Sequence, residues 1–152
     1  MRKVGWQEFD ELSERLYSKI NGEKFDCILA VNRGGLLLGR LMSDYMELPL
    51  AVISAKAYHK GEEKMLKNVT LSSKISSLED IAGKILLVDD KVESGSTVEA
   101  IKKYLAGLPK VQDVKIMVMF KTDKTREQPD FYAEKENDWV KFPYEKKEFN
   151  RT

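Results

Sequence analysis

The chain has 152 residues, of which 42% are hydrophobic and 34% are charged, and its formal net charge is +1. A chain of this length fits one domain with a single core, here residues 1–152, and its composition excludes an intrinsically disordered or membrane-spanning protein. The near-neutral charge lacks the basic excess that nucleic-acid-binding proteins usually show, so we expect no binding to nucleic acid.

The amino-terminal part of the sequence predicts a helix, a buried strand and a second helix. Apolar residues spaced by three or four positions form one face of the first helix: Trp6, Phe9, Leu12, Leu16 and Ile20. Asn21-Gly22 ends this helix, and the almost continuous apolar run Phe25–Val31 predicts a strand that is covered on both faces. Arg33-Gly34-Gly35 interrupts the apolar run, and residues 36–48 predict the second helix, which stops before Pro49.

The middle of the sequence predicts two more buried strands with a long loop between them. Residues 50–53 form the first of these strands, which can continue to Tyr58, and Ile85–Val88 forms the second. From His59 to about Ser76 the sequence is polar and has no periodicity, which predicts a loop. Loops of this length are uncommon inside compact domains and are usually functional.

The remaining elements complete an alternation of strands and helices. Residues 98–105 carry one apolar face and predict a third helix that ends at Gly107. Residues 115–120 predict a fourth strand, and weaker strand candidates follow at 131–133 and 139–142. This alternation predicts an α/β fold built on a mostly parallel sheet, in which ligands bind at the carboxyl ends of the strands.

The only cysteine, Cys27, lies in the first predicted strand, where we expect a buried small hydrophobic residue. A single cysteine cannot form an intrachain disulfide, which favours an intracellular protein. The sequence also shows neither a signal peptide nor an apolar run of about 18 residues. These observations together predict a soluble cytoplasmic protein that does not associate with membranes.

Two ordinary features stand side by side after the third strand. Asp89 and Asp90 follow its apolar residues, and charges in a crevice need a metal, sugar hydroxyls or a basic residue as partners. Ser94-Gly95-Ser96-Thr97 offers small residues and hydroxyls at a helix amino terminus, which favours anions. Taken alone, the carboxylates are as well explained by solvation of the strand end and the hydroxyls by helix capping. Together they can hold a sugar diol and a phosphate.

The whole segment Val88–Thr97 resembles the 5-phosphoribosyl-1-pyrophosphate (PRPP) signature of the type I phosphoribosyltransferases. That signature is an apolar strand, two acidic residues, a few variable residues and a short loop of glycine and hydroxyl residues. The resemblance implies the fold of that family, a mostly parallel central sheet flanked by helices, with a small carboxyl-terminal hood over the base pocket.

The same resemblance assigns roles within the segment. It implies that Asp89 and Asp90 lie by the ribose hydroxyls and bind Mg²⁺. It implies that the following residues surround the 5′-phosphate: Glu93, Ser94, Gly95, Ser96 and Thr97. Lys91 stands where the family usually has an apolar residue, and we expect its side chain to turn to solvent or to a partner chain.

The segment Asn32-Arg33-Gly34-Gly35, after the first strand, resembles the pyrophosphate loop of the family. Arg33 suits pyrophosphate because a guanidinium binds two oxygens at once, and Gly34 allows backbone N–H contacts nearby. Taken alone, the segment is equally well an ordinary turn with a surface arginine. The resemblance implies a cis peptide bond between Asn32 and Arg33.

The polar segment Tyr58–Lys74 takes the position of the flexible catalytic loop of the family. His59, the only histidine, is expected to be an exposed residue of this loop. The sequence shows no cluster of histidines and cysteines that would bind zinc.

The carboxyl-terminal part narrows the resemblance to purine enzymes, above all the small xanthine–guanine and hypoxanthine–guanine types of bacteria and archaea. Lys121 follows the fourth strand, at the place where a family lysine binds the oxygen at C6 of the purine. The segment Asp138–Glu145 matches a family pattern, which implies that Trp139 stacks on the purine and that the main chain of Val140 reads its edge. Glu145 is implied near the 2-position of the base or a second Mg²⁺. Without the resemblance, a lysine after a strand and a core aromatic residue explain these positions equally well.

The implied reaction transfers the 5-phosphoribosyl group of PRPP to a 6-oxopurine (guanine, xanthine or hypoxanthine) with Mg²⁺ as cofactor, and gives a nucleoside monophosphate and pyrophosphate. Asp89, Asp90, Glu93 and Arg33 are the candidate catalytic residues. Glu93 stands where related purine enzymes carry an acidic residue near N7 of the base, and it is the candidate proton acceptor. Family likeness also favours a homodimer or homotetramer.

Three other interpretations stay open. The first is an enzyme of the same fold that acts on a pyrimidine, against which Lys121 and the segment 139–145 argue. The second is a non-catalytic nucleotide-sensing or RNA-binding regulator on the same fold, although such proteins often lose the acidic pair that is kept here. The third, a purely structural domain, requires three ligand-like strand ends to coincide by chance.

Overall fold

The structure, a computed structural model, describes residues 1–59, 67–72 and 74–147. Its helices are α1 (Trp6–Ile20), α2 (Leu36–Met46) and α3 (Ser96–Ala106). Its strands are β1 (Arg2–Lys3), β2 (Cys27–Asn32), β3 (Leu50–His59), β4 (Lys67–Leu71), β5 (Gly83–Val92), β6 (Val111–Lys121), β7 (Phe131–Lys135) and β8 (Val140–Lys141). Within the described part of the chain, no helix is both long enough and apolar enough to span a bilayer.

The central sheet has six strands in the order β4-β3-β2-β5-β6-β7. The pairs β2·β3, β2·β5, β5·β6 and β6·β7 are parallel, and only the edge pair β3·β4 is antiparallel. The predicted α/β fold with a mostly parallel sheet is therefore confirmed. The middle strands read as unbroken apolar runs because helices cover both faces of the sheet.

Two buried clusters lie on opposite faces of this sheet. One contains apolar residues of α1 and α2 together with Val140 and Phe142 from the carboxyl-terminal segment. The other contains the apolar face of α3, namely Val98, Ile101 and Leu105. Helix α2, which follows β2, and helix α3, which follows β5, thus pack on opposite faces of the sheet. Because β2 and β5 are neighbours, a crevice opens between their carboxyl ends, which is where open α/β sheets bind ligands.

Strand β5 is longer than the sequence predicts. It does not end at Val88 but continues through the acidic pair to Val92. Its pairing with β2 stops at Val88, whereas its pairing with β6 continues to Val92. Asp89 and Asp90 therefore lie on a free edge of an extended strand, facing the crevice, and not in a loop after it.

The prediction of one loop from His59 to Ser76 is wrong in part, because strands occupy two stretches of it. Strand β3 runs to His59, and Lys67–Leu71 forms β4, which pairs with it in antiparallel fashion. Strand β4 carries only a short apolar alternation, Val69 and Leu71 on either side of Thr70, which is why the sequence pattern did not predict it. Residues 60–66 and 73, the heart of the proposed catalytic loop, lie outside the described residues, as does the side chain of His59.

Helix α2 ends two residues earlier than predicted, at Met46. Glu47 adopts a left-handed conformation, with φ of 53°, and the N–H of Leu48 donates to the carbonyl of Ser43. This 6→1 hydrogen bond is a common way to end a helix. The helix predicted from Trp6 is confirmed as α1, although Trp6 itself is largely exposed. Cys27 in β2 is buried, as expected.

A second, two-stranded sheet joins the amino terminus to the carboxyl-terminal segment. Strand β1 pairs in parallel with β8, and Arg2 lies opposite Val140. The N–H of Arg2 donates to the carbonyl of Trp139 at 2.8 Å, and the N–H of Val4 donates to that of Lys141 at 2.9 Å. The sequence does not predict β1, because two residues carry no periodic pattern.

Candidate active site

A cavity of about 260 Å³ opens at the carboxyl end of β5. Its walls come from β5, the loop before α3, the start of α3 and the carboxyl-terminal segment: Asp89–Val98, Trp139, Val140, Phe142 and Glu145. The structure thus brings the predicted sugar-binding and phosphate-binding segments together with the carboxyl-terminal base-binding segment, although more than 40 positions separate Thr97 from Trp139. Arg33, Gly34 and Lys121 do not line this cavity.

The acidic pair forms one wall of the cavity. Asp89 accepts a hydrogen bond from the N–H of Asp90 at 2.8 Å, and Asp90 accepts one from the N–H of Lys91 at 2.7 Å. Burial, with the Asp90 carboxylate beside it, raises the pKa of Asp89 well above its ordinary range. Burial also raises the pKa of Asp90, although the donors around it oppose this effect. The pair therefore holds negative charge at a cost that a cation or several hydroxyl donors would offset.

Gly34 packs directly against Asp90. A Cβ added at Gly34 would lie 2.6 Å from Asp90 Cγ, so any side chain at this position would force the Asp90 carboxylate to move. The peptide bond between Asn32 and Arg33 is cis, which confirms the prediction for this loop. Arg33 is exposed at the surface beside the crevice.

Tyr144 ties the loop after β2 to the acidic pair. Its hydroxyl lies 3.1 Å from Asp90 Oδ2 and 3.2 Å from the carbonyl oxygen of Gly34, and it donates its single proton to these acceptors. Burial raises the pKa of Tyr144, so the hydroxyl stays protonated. The sequence places Tyr144 inside the Asp138–Glu145 pattern but assigns it no role. Only its contacts reveal that it orients Asp90.

The loop before α3 is shaped to receive an anion. Gly95 adopts a left-handed conformation, with φ of 87°, and takes the N-cap position, where it has no side chain to cap the helix. The hydroxyls of Ser94 and Ser96 lie 2.9 Å apart. The first N–H groups of a helix lack partners within the helix, and those of α3 begin at the cavity wall.

A second loop, residues 122–128, supports the phosphate loop from behind. Thr122 Oγ1 donates to the carbonyl of Glu93 at 2.8 Å, and the N–H of Arg126 donates to the carbonyl of Ser94 at 3.1 Å. A Cβ on Gly95 would lie 2.9 Å from Thr125 Oγ1, so the two loops are in close contact. Sequence reasoning missed this support, because its residues are ordinary loop residues and their partners are distant in the chain.

The carboxyl-terminal segment forms the opposite wall. The side chain of Trp139 is 42% exposed, whereas Val140 is buried beneath it. Glu145 folds back on the chain, and its Oε2 accepts a hydrogen bond from the N–H of Phe142 at 2.9 Å. The carbonyls of Trp139 and Lys141 accept hydrogen bonds from β1 on one edge of β8. Backbone groups alternate along a strand, so the N–H and C=O of Val140 point to the other edge, towards the cavity that Val140 lines. An exposed aromatic ring above such an edge suits a flat heterocycle.

The two lysines of the site are placed differently from the sequence expectation. Lys121 Nζ donates to Gln128 Oε1 at 2.9 Å and lies 4.2 Å from the centre of the Tyr132 ring, outside the cavity. Lys91, which we expected to face solvent or a partner chain, instead lines the cavity, with a side chain that is only 9% exposed. The expectation that Lys91 turns to solvent was therefore wrong. Because β5 continues past the acidic pair, its residues stay beside the carboxyl-terminal segment.

The acidic pair also fits the magnesium ion that the family implies. Mg²⁺ prefers oxygen ligands and is usually held by one or two carboxylates together with substrate phosphates. Among the described residues, no group of three or more His, Cys, Asp and Glu side chains is arranged to hold a metal ion. Asp89 and Asp90 thus suit an ion that arrives with a phosphorylated ligand, rather than one that the protein holds alone.

Comparisons with known proteins agree with this geometry. Residues 5–146 match the family model described as "Phosphoribosyl transferase domain". A solved structure of purine phosphoribosyltransferase from Pyrococcus horikoshii superimposes with a TM-score of 0.84 and 25% identity, covering 99% of this chain and 97% of that one.

Two curated relatives are similar over part of their length. A hypoxanthine/guanine phosphoribosyltransferase of Methanobrevibacter ruminantium is 32% identical over 94 residues, covering 60% of this chain and 50% of the relative. The transcriptional regulator GfcR of Methanococcus maripaludis is 28% identical over 108 residues, covering 70% of this chain and 51% of the relative. The chain thus spans about half the length of the curated relatives that it matches. With the family model covering nearly all of its length, this chain belongs to the phosphoribosyl transferase domain family and has the type I phosphoribosyltransferase fold.

Proposed function

We propose that this protein transfers the 5-phosphoribosyl group of PRPP to a 6-oxopurine (guanine, xanthine or hypoxanthine). The products are a nucleoside monophosphate and pyrophosphate, and the reaction is one of purine salvage. One observation carries the proposal: an acidic pair, an anion-binding helix start and an exposed tryptophan share a single cavity. The names of the relatives from Methanobrevibacter ruminantium and Pyrococcus horikoshii support the purine class.

Each part of PRPP has matching residues in the cavity or beside it. The 5′-phosphate lies in the loop Glu93–Thr97, where backbone N–H groups and hydroxyls donate to its oxygens. The ribose diol lies against Asp89 and Asp90, whose carboxylates accept from its hydroxyls. The pyrophosphate lies towards Arg33 and Gly34, where the guanidinium offers paired donors.

The base occupies the space beside the carboxyl-terminal segment. Trp139 stacks on its ring, and stacking of this kind is worth roughly 1–3 kcal/mol for each base. The backbone of Val140 reads the ring edge, and Glu145 lies near its 2-position. In this proposal Lys121 reads the oxygen at C6 only if its side chain leaves Gln128 and Tyr132.

The chemistry is a substitution at C1′ of the ribose. The bond from C1′ to the pyrophosphate oxygen breaks, its electron pair leaves with pyrophosphate, and N9 of the base forms a new bond to C1′. A bound Mg²⁺ would supply positive charge to the leaving pyrophosphate. The acidic pair stabilises the positive charge that the ribose gains, and Arg33 stabilises the negative charge of the leaving group.

The base must also lose one proton. Glu93, whose side chain is 52% exposed at the cavity, takes this proton from the purine or passes it to water. Replacing Glu93 by Ala should lower kcat by about 10²-fold, the usual scale of a general base. Turnover that does not change in this variant would remove Glu93 from the mechanism.

A base panel tests the proposal. Pyrophosphate release is measured with PRPP and Mg²⁺ in the presence of guanine, xanthine, hypoxanthine, adenine or uracil. Turnover with a 6-oxopurine is expected, and turnover with uracil alone would instead indicate a pyrimidine enzyme. Asp90→Asn serves as the matched negative control, since it removes one carboxylate charge and keeps the shape of the side chain.

A second candidate function is a regulator that binds PRPP or a nucleotide without turnover. The similarity to the transcriptional regulator GfcR favours it. Binding of PRPP or a nucleoside monophosphate by calorimetry, with no release of pyrophosphate for any base, would support the regulator and end the enzyme proposal. Family likeness leads us to propose a homodimer or homotetramer, and the single cysteine leads us to propose a cytoplasmic protein.

A further inference from the structure

Lys91 lies in the candidate active site without an assigned role. Its Nζ donates to the carbonyl oxygen of Asp138 at 2.6 Å and lies 3.9 Å from Glu93 Oε1. Asp138 directly precedes Trp139, so this hydrogen bond fixes the ammonium beside the exposed indole. With 9% of its side chain exposed, Lys91 is held in place by the cavity wall and is not a freely moving surface residue.

We propose that Lys91, rather than Lys121, selects the base by donating a hydrogen bond to an oxo group on the ring that stacks on Trp139. This inference rests on the proposed function. An ammonium has three donors and no acceptor, and the carbonyl of Asp138 takes one of them. The other donors can meet a carbonyl oxygen on a bound base, whereas an exocyclic amino group at the same place would find no acceptor.

The placement of the two lysines carries this inference. Lys121 contacts Gln128 and the Tyr132 ring, and it does not line the cavity. To reach the base it would have to break a hydrogen bond and leave the face of an aromatic ring. Lys91 already lines the cavity together with Trp139 and Val140, so it needs no such rearrangement.

Discrimination of this kind can be strong. A buried donor that faces a group unable to accept stays unpaired, and hydrogen bonds to charged groups contribute about 1.5–3 kcal/mol. By the usual conversion, this corresponds to about 10- to 100-fold in kcat/KM. We therefore expect 6-oxopurines to be favoured over adenine by about this factor, with Lys91 as the source.

The test compares three lysine-to-methionine variants, which keep the length of the side chain and remove its charge. Lys91→Met should lower kcat/KM for the preferred 6-oxopurine by about 10- to 100-fold and leave the KM for PRPP within about twofold. Lys121→Met, the competing assignment, should lower kcat/KM by a smaller factor than Lys91→Met does. Lys110→Met is the control for the loss of one positive charge, since Lys110 is exposed and pairs only with the exposed Asp80 among the described residues.

Two further measurements keep the test decisive. Lys91→Arg retains charge and donors and should keep most of the preference for 6-oxopurines, which separates donation from a merely structural role. Dissociation constants for GMP and AMP, measured by calorimetry on the wild type and on Lys91→Met, do not require turnover. In Lys91→Met, the dissociation constant for GMP should rise about tenfold, and that for AMP should stay nearly unchanged.

The outcomes separate the two proposals. A loss confined to Lys121→Met, equal losses in the Lys91 and Lys121 variants, or unchanged kinetics in Lys91→Met would each overturn the role of Lys91. A wild-type protein that turns over no base overturns the proposed function. In that case a selective loss of GMP binding in Lys91→Met still supports Lys91, and equal effects on GMP and AMP, or no binding of either, overturn it.

Discussion

Single residues decide whether the two strand ends of the site can meet. Gly34 and Asp90 come from segments that are distant in sequence, and they touch because residue 34 has no side chain. Tyr144 then joins both of them through one hydroxyl. This contact explains why an otherwise plain glycine and an unassigned tyrosine belong to the candidate site.

Replacing Gly34 by Ala should lower kcat/KM by about 10²-fold, because displacement of groups by about 1 Å at a reacting centre has effects on this scale. The added methyl group would push the Asp90 carboxylate out of place. Steady-state kinetics and the unfolding midpoint in urea measure the two effects separately. Gly5→Ala is the matched control, since a Cβ there would meet no atom within 4 Å. Equal losses in both variants would contradict the prediction.

Replacing Tyr144 by Phe keeps the ring, which stacks on Phe142 with centroids 5.3 Å apart, and removes only the hydroxyl. Asp90 then lacks one donor, so the KM for PRPP should rise about fivefold to tenfold, equivalent to about 1 kcal/mol. The KM for the base should change little. Tyr17→Phe, at an exposed position, controls for loss of a hydroxyl. An unchanged KM for PRPP would show that Tyr144 does not orient Asp90.

At the scale of elements, the carboxyl-terminal wall depends on the amino terminus. Arg2 donates to Glu134 and to Glu8 at 2.6 Å each, and its guanidinium lies 4.8 Å from the centre of the Phe120 ring. Its own N–H holds the carbonyl of Trp139. Strand β1 is thereby fixed to the body of the protein, and it fixes β8 in turn.

Replacing Arg2 by Met should therefore raise the KM for the base by about tenfold, while the KM for PRPP stays within about twofold. The methionine keeps part of the contact with Phe120 and loses the three carboxylate partners, Glu8, Glu134 and Glu136. Lys3→Met, an exposed neighbour on the same strand, is the control. Parallel increases in both KM values would show that the network acts on overall stability instead.

Most elements could be predicted from the sequence because their signals are local. The apolar faces of α1 and α3 repeat at the helical period, and β2, β3 and β5 contain short apolar runs typical of strands covered on both faces. Strands β1 and β4 could not be predicted, since each depends on a partner strand that it meets only in the fold. The site divides in the same way. The segment 89–97 carries a recognisable pattern, whereas the positions of Lys91, Lys121 and Tyr144 depend on how far β5 and β6 continue.

At the scale of the whole molecule, two partly buried glutamates link stability to pH. The hydrogen bond from Arg2 lowers the pKa of Glu134, and the ammonium of Lys115, followed by that of Lys84, lowers the pKa of Glu23. A carboxyl whose pKa is lower in the folded state stabilises the fold above its unfolded pKa. That contribution is lost as the pH falls through the folded pKa.

The free energy of unfolding should consequently decline below about pH 4.5, the ordinary glutamate value. Glu134→Gln should lower it by about 1 kcal/mol at pH 7 and make the decline at acid pH shallower. Urea unfolding at a series of pH values measures both effects. Glu79→Gln, at an exposed position, should leave the profile unchanged. If the free energy of unfolding of Glu134→Gln fell as steeply at acid pH as that of the wild type, this account would be contradicted.

The pairing of β1 with β8 also bears on the order in which the molecule folds. Arg2 and Val140 lie almost the whole described chain apart, and the entropy lost on closing a loop grows with its length. Contacts of this range form after local ones, whereas β5, the phosphate loop and α3 are continuous in sequence. We therefore expect the part of the molecule that holds Trp139 to be completed late in folding. A chain that has reached only the earlier stage would then present a site for a sugar phosphate before it presents a site for a base.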